Sequence, residues 1–212
     1  MRLTPFLCAA LAAGLAASPA AAQLCDGLPG NVFFAGASHN DLGTNTLYAG
    51  INPQGPHTFS ANVAKPPDQA NGSSSISYGV RWKYGTERRS WGLCTIVGYQ
   101  RGYSQLLNAE GLHYNGHLTV QSVPVGFSYA RAFSLGRACR LIVSAAPQFV
   151  FRSHKLDLVG RGDTLHVSDL STDWGVGTGA TLKFGPIYIT AGGSKFSNDD
   201  GWHWGFGAGV SP

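Results

Sequence analysis

Charge is scarce in this chain: only 12% of its 212 residues are Asp, Glu, Lys or Arg, about half the share usual in soluble domains. The eleven acids and fifteen bases form no run of either sign, which argues against a nucleic-acid partner. Long apolar runs are missing as well. Beyond the N-terminus no stretch approaches the ~20 residues of a membrane-spanning helix, and no sustained 3.6-residue periodicity marks an amphipathic one. No phosphate-binding loop, dinucleotide fingerprint or nucleophile elbow is present, so no cofactor is expected. What the chain does have is 29 Gly, 5 Trp, 8 Tyr and 11 Phe, the composition of an aromatic, Gly-rich all-β protein.

The first residues read as an export signal. Arg2 supplies a positive start, Leu7 to Ala17 an apolar core, and Ala20-Ala21-Ala22 before Gln23 a small-residue cleavage site. Residues 1–22 are therefore expected to be a secretory signal peptide, which removes Cys8, and 23–212 a single domain.

A period of two dominates the rest. Ten strands are predicted, with eight as the alternative: roughly Val32–His39, Thr46–Ile51, Thr58–Ala64, Ile76–Tyr84, Trp91–Gly102, Leu118–Phe133, Arg140–Arg152, Trp174–Phe184, Ile187–Ser194 and Trp202–Val210. The connections alternate in length. "NDLGTN", "KPPDQANGSSS", "YSQLLNAEGLHYNGH", "SHKLDLVGRGDTLHVSDLST" and "KFSNDDG" follow the odd strands, while "NPQGPH", "GTERRS", "SLGRA" and "GP" follow the even ones. Long loops at one end and short turns at the other are the pattern of an outer-membrane barrel. The expected fold is a closed antiparallel up-and-down transmembrane β-barrel, both termini on the periplasmic side.

The two faces of each strand support this. In "WGLCTIVGYQRG" one face carries Trp91, Leu93, Thr95, Val97 and Tyr99 and the other Gly92, Cys94, Ile96, Gly98 and Gln100. The second face is small and uncharged, a poor wall against water, so the bulky apolar face is expected to meet lipid. The inverse arrangement, a soluble ligand-binding barrel, would leave a Gly-lined exterior with few charges. Lumen parity falls to Arg81, Lys83, Gln100, Gln148, Arg152, Lys183 and His203, and no acid on any predicted strand shares it. Aromatics gather at strand ends in two predicted girdles: Trp82, Tyr84, Trp91 and Phe133 near the short turns, and Tyr99, Phe151, Trp174 and Trp202 near the long loops.

The segments "VPVGFSYARAF", "SAAPQFVF", "WGVGTGATLKFG" and "GWHWGFGAGV" resemble the bacterial outer-membrane β-barrel domain family, the small porin-like barrels, over about residues 25 to 210. The resemblance implies contact with outer-membrane lipid and lipopolysaccharide and with the barrel-assembly machinery. That machinery reads a terminal aromatic in the family; here the chain ends Val210-Ser211-Pro212, so Phe206 or Trp204 would have to serve. The motifs leave oligomeric state and activity open.

Chemistry is thinly represented. His154, His166, Asp163 and Asp169 in the longest connection could activate water, which keeps open a barrel enzyme hydrolysing lipid, lipopolysaccharide or peptide. His113 and His117 would share a helix face, yet Gly111 and Gly116 oppose a helix, and "SNDDG" has too few ligands for a calcium loop. No metal or catalytic residue is assigned. Cys25, Cys94 and Cys139 remain after the signal. Strand six separates strands five and seven by about 9–10 Å, beyond the ~7 Å a disulfide tolerates. Cys25–Cys94 is therefore the expected pair, Cys25–Cys139 the second and no disulfide the third. The expected bond would draw Asp26 into the lower lumen as a counter-ion and partial plug. The chain is read as a non-enzymatic narrow pore, structural component or surface-exposed binding module.

Overall fold

The computed structural model describes residues 33–52, 56–68, 74–88, 90–106, 115–136, 138–160 and 163–211. The expected signal segment, Cys25, Asp26 and His113 lie outside them. The strands are β1 (Phe33–Asn40), β2 (Asn45–Ile51), β3 (His57–Lys65), β4 (Ser74–Arg88), β5 (Trp91–Leu106), β6 (Asn115–Ser134), β7 (Cys139–Gly160), β8 (Asp163–Phe184), β9 (Ile187–Phe196) and β10 (His203–Val210). Each pairs antiparallel with its neighbour in sequence, and β1 pairs with β10 from Ala35–Val210 to Asn40–Gly205, so ten strands close a barrel and the eight-strand alternative falls. In hydrocarbon every backbone donor and acceptor must find an internal partner, and closure leaves no edge. Pro124 and Pro147 lack the N–H of a ladder residue, yet the register runs unchanged past Pro124, from Val97↔Val125 to Gln100↔Ser122.

Local residues explain the tight ends. β8 and β9 join through Gly185-Pro186, where Gly185 has φ 55°, the positive value that a primed hairpin turn demands at its first central position. The opposite end departs from expectation. The connection predicted over residues 153–172 is almost entirely strand, because β7 continues to Gly160 and β8 begins at Asp163. β5 and β6 likewise run to Leu106 and from Asn115, which puts His117 on a strand and removes the helix that a His113–His117 site would need. β6, β7 and β8 have 20, 22 and 22 residues against 8 in β1 and β10, so one side of the mouth rises as a tall three-stranded wall.

The faces fall as the period of two demands. Trp82, Val97 and Val125 are matched across β4, β5 and β6 on the outer surface, with Arg81 and Gly98 on the inner one. Outward apolar side chains such as Phe127, Phe149, Trp174 and Phe206 are more than half exposed, as a lipid-facing belt must be when lipid is absent. Along β5 this belt runs from Trp91 to the outward Arg101. At about 3.3 Å per residue and a strand tilt near 40° it is about 25 Å tall, the height of a hydrocarbon core.

The lower lumen, at the short-turn end, is packed. Ile142 and Tyr188 are 0% exposed, Ile96 2% and Phe34 4%. Glycines make room on both sides of β1: a Cβ on Gly50 of β2 would lie 2.1 Å from the Phe34 ring, and one on Gly209 of β10 2.4 Å from the Tyr188 hydroxyl. That hydroxyl donates to the Ala35 carbonyl at 3.2 Å and lies within hydrogen-bond distance of Tyr48 Oη, at 3.1 Å, tying β9 across the seam to β1 and β2.

Above the belt the two faces exchange character. The outer rows of the tall wall are Gln121–Ser153–Leu170, Thr119–Lys155–Ser168 and His117–Asp157–His166; the inner rows are Val120–His154–Asp169 and, above it, Leu118–Leu156–Val167 and Gly116–Leu158–Leu165. Polar groups thus turn outward where lipid ends.

Substituting the belt centre tests the assigned faces. Val97→Arg should lower refolding stability in lipid vesicles by about 2–4 kcal/mol, the cost of a cation at the bilayer midplane. A urea titration in which this variant matches the wild type would show that Val97 does not face lipid.

Candidate binding site in the lumen

Above the packed floor the lumen opens into a cavity of about 560 Å³, lined among others by Ser77, Arg81, Gln100, Gln148, Arg152 and Phe196. Four of the predicted lumen residues, Arg81, Gln100, Gln148 and Arg152, therefore converge on one space. Each sits there by parity: Arg81 is one residue from the outward Trp82 on β4, Gln100 opposes Gly79 and Ser122, and Gln148 opposes Gly126 and Gly175. The small opposing residues leave the long side chains room to extend inward. Val120, Pro124, Val150 and Phe196 supply the apolar part of the lining. A size of 300–1,000 Å³ with a few convergent polar groups is that of a small-molecule pocket.

The charges within it are unequally matched. Arg152 donates to Asp173, which is 0% exposed and also accepts from Asn198, and the Arg152 guanidinium lies 5.4 Å from the Phe196 ring centre. The expectation that no lumen acid exists is thus corrected. Asp173 lies one residue before the predicted start of strand eight, and the extension of β8 gives it lumen parity. Among the described residues Arg81 has neither a hydrogen bond nor an ion pair. Gln100 Nε2 donates to Ser77 Oγ at 3.4 Å. The cavity carries one compensated and one uncompensated guanidinium.

The other predicted lumen residues lie elsewhere on the same inner surface. Lys83 is buried in the lower lumen, and Lys183 Nζ donates to the Ser211 carbonyl at 3.0 Å. His203 sits at the mouth, with Nδ1 3.6 Å from Asp41 and Nε2 3.7 Å from Asp199. Cys94 faces inward and is buried at the short-turn end, whereas Cys139 pairs with the outward Phe184 and is a free thiol. Of the girdle residues, Trp82, Tyr84, Trp91, Tyr99, Phe133, Phe151 and Trp174 stand on outward rows. Trp202 stacks on the outward Trp204 at 5.7 Å, and Trp82 Nε1 donates to His57 Nδ1 at 3.2 Å.

The residues considered for hydrolysis do not gather in one place. His154 and Asp169 oppose each other on the inner face of the tall wall, whereas His166 is on the outer face, its Nδ1 2.5 Å from Asp157. Asp163 opens β8 at the tip of the hairpin. Among the described residues no three His, Cys, Asp or Glu gather as a metal site would require.

No family model matches the chain, and no curated protein matches it in sequence. Solved structures with a similar fold include a KdgM porin in complex with disordered oligogalacturonate, at 9% identity and TM-score 0.43 over 85% of this chain and 98% of that one. LpxR from Salmonella typhimurium aligns at 12% identity and TM-score 0.44, over 85% and 99% of the two chains. The translocator domain of the autotransporter NalP from Neisseria meningitidis aligns at 12% and 0.41, over 84% and 85%.

The buried pair yields a prediction. Arg152→Ala leaves the Asp173 carboxylate buried without its cation and should cost about 3–5 kcal/mol in refolding stability. Adding Asp173→Asn to that variant should recover most of the loss. A double variant as unstable as the single one would show that the pair is not the cause.

Proposed function

We propose that the protein is an integral outer-membrane barrel without enzymatic activity, acting as a surface-facing binding module with its long-connection end outside the cell. One observation carries this reading: the lumen is filled at the short-turn end by Phe34, Ile96, Ile142 and Tyr188 and open above them into a polar cavity. A continuous pore needs a wet path through both halves, and a structural component needs no cavity. The apolar belt of about hydrocarbon height supports placement in a membrane, and strands rather than helices would span it. Closure relieves the strands of unpaired edges, so the barrel can stand in lipid without a partner chain.

Planar-bilayer recording on refolded protein tests the reading. The filled floor should give no stable conductance steps, and porin-scale steps from purified protein would replace the binding module with a pore.

A Cys25–Cys94 disulfide fits the same reading as a tether that holds the N-terminal segment at the packed end. It is supported by the inward placement of Cys94 near the periplasmic rim and by the free, outward Cys139. Peptide mass mapping of non-reduced protein should recover residues 25 and 94 in one cross-linked species. A free thiol at Cys25 would eliminate the tether.

A further inference from the structure

We infer that the upper lumen is a binding site for a small organic monocarboxylate with an apolar body; the inference rests on the reading of the barrel as a binding module. Three observations combine. The first is charge. Arg81 opens onto the cavity without an ion pair or hydrogen bond, while Arg152 is already neutralised by Asp173, which leaves the site one net positive charge among the described residues. A monoanion balances that charge, whereas a dianion would bring an unmatched negative charge into a space walled by protein. The guanidinium fork matches the two oxygens of a carboxylate.

The second is the apolar part of the lining. Val120, Pro124, Val150 and Phe196 stand on β6, β7 and β9, interleaved there with Ser122, Gln148, Arg152 and Ser194, while β4 and β5 contribute Ser77, Arg81 and Gln100. An aliphatic or aromatic body removes the four apolar side chains from water, which a fully hydroxylated one does not.

The third is continuity upward. Val120 shares its inner-face row with His154 and Asp169, and above that row come Leu118–Leu156–Val167 and then Leu158–Leu165, of which Leu165 is 52% exposed. An apolar body longer than the cavity would lie along this wall while its carboxylate stayed below at Arg81. The outer face of the same wall is polar, so the apolar row is turned toward the mouth and not toward lipid.

The test uses the full-length protein in lipid nanodiscs and three probes: 4-phenylbutyrate, its neutral alcohol 4-phenylbutanol, and gluconate. Binding is read by calorimetry against Arg81→Gln protein in identical nanodiscs, so that partition of the probes into lipid cancels. Wild-type protein should bind 4-phenylbutyrate, with the alcohol and gluconate each at least tenfold weaker. Arg81→Gln should weaken 4-phenylbutyrate by about ten- to hundredfold, the worth of a hydrogen bond to a charged group, and Arg81→Lys should restore part of it. Retained heat-modifiable mobility on gels shows that each variant is folded; if Arg81→Gln fails that check, Arg81→Lys against wild type carries the comparison. Asp173→Asn supplies a second, independent arm: with Arg152 released, a dicarboxylate such as phthalate should gain at least tenfold over its wild-type affinity. Equal binding of 4-phenylbutyrate by wild type and Arg81→Gln overturns the site, as does equal binding of the alcohol. Gluconate binding as tightly as 4-phenylbutyrate overturns the apolar body. No probe binding by folded, non-conducting protein sinks the ligand class and leaves the binding-module reading intact, whereas porin-scale conductance sinks the reading itself.

Discussion

The pairing of β1 with β10 is the constraint on which everything else depends. A strand in hydrocarbon cannot leave its backbone unpaired, so the first and last strands must meet, and they are short, at eight residues each. The seam is made of small residues: Gly36 and Gly209, Ala37 and Ala208, Ser38 and Gly207 face one another across it. Small residues let the two backbones close without side chains wedging them apart, and they leave hollows on the inner side. Tyr48 fills the hollow at Gly36 and Tyr188 the one at Gly209, and the Tyr188 hydroxyl finds the Ala35 carbonyl. Closure and the packed floor are therefore one structural event. The upper lumen can stay open because the load of side-chain packing has been placed below it.

Most of this architecture was legible in the sequence because one signal, the period of two, survives wherever a strand separates two unlike environments. It fixed the number of strands and the inward and outward faces at Trp82, Val97 and Gly98. It failed above the belt for a physical reason. Along β7 the apolar residues occupy odd positions, Leu141, Val143, Phe149 and Phe151, and then move to even ones, Leu156 and Leu158. The strand itself does not change. Its outer face passes from lipid into water while its inner face passes from a wet lumen to the shelter of the mouth, so the apolar phase slips by one residue. A reader who follows the apolar phase sees a break at Arg152 and infers a loop. The same inversion brings Leu165 and Val167 inward on β8, opposite Leu158 and Leu156.

The site was legible to a different degree. Parity placed Arg81, Gln100, Gln148 and Arg152 inside the barrel, but parity alone says nothing about height, and height separates them from Lys83 and Lys183 below and His203 above. The acid was missed through the same phase slip: with strand eight started at Trp174, Asp173 counted as loop. Asn198 could not have been found from periodicity, since it lies in the turn between β9 and β10 and reaches Asp173 only once the barrel has closed.

The inner charges then sort by what the fold can offer each of them. Lys183, near the short-turn end, finds the Ser211 carbonyl, and Arg152 finds Asp173 with the Phe196 ring beside it. A cation in a narrow barrel costs free energy unless partners or water reach it, and both of these have protein partners. Arg81 lies between them in height, on the wall opposite the acid, with small Ser60 and Gly98 as its cross-strand neighbours. Neither neighbour can accept an ion pair. The cavity is the space that it faces. An arginine held in such a place keeps the lumen positive where it is open, while the packed floor removes the reason for that charge to serve passage. On the reading of the barrel as a binding module, an anion drawn in from the mouth would have a partner at Arg81 and a packed floor below it.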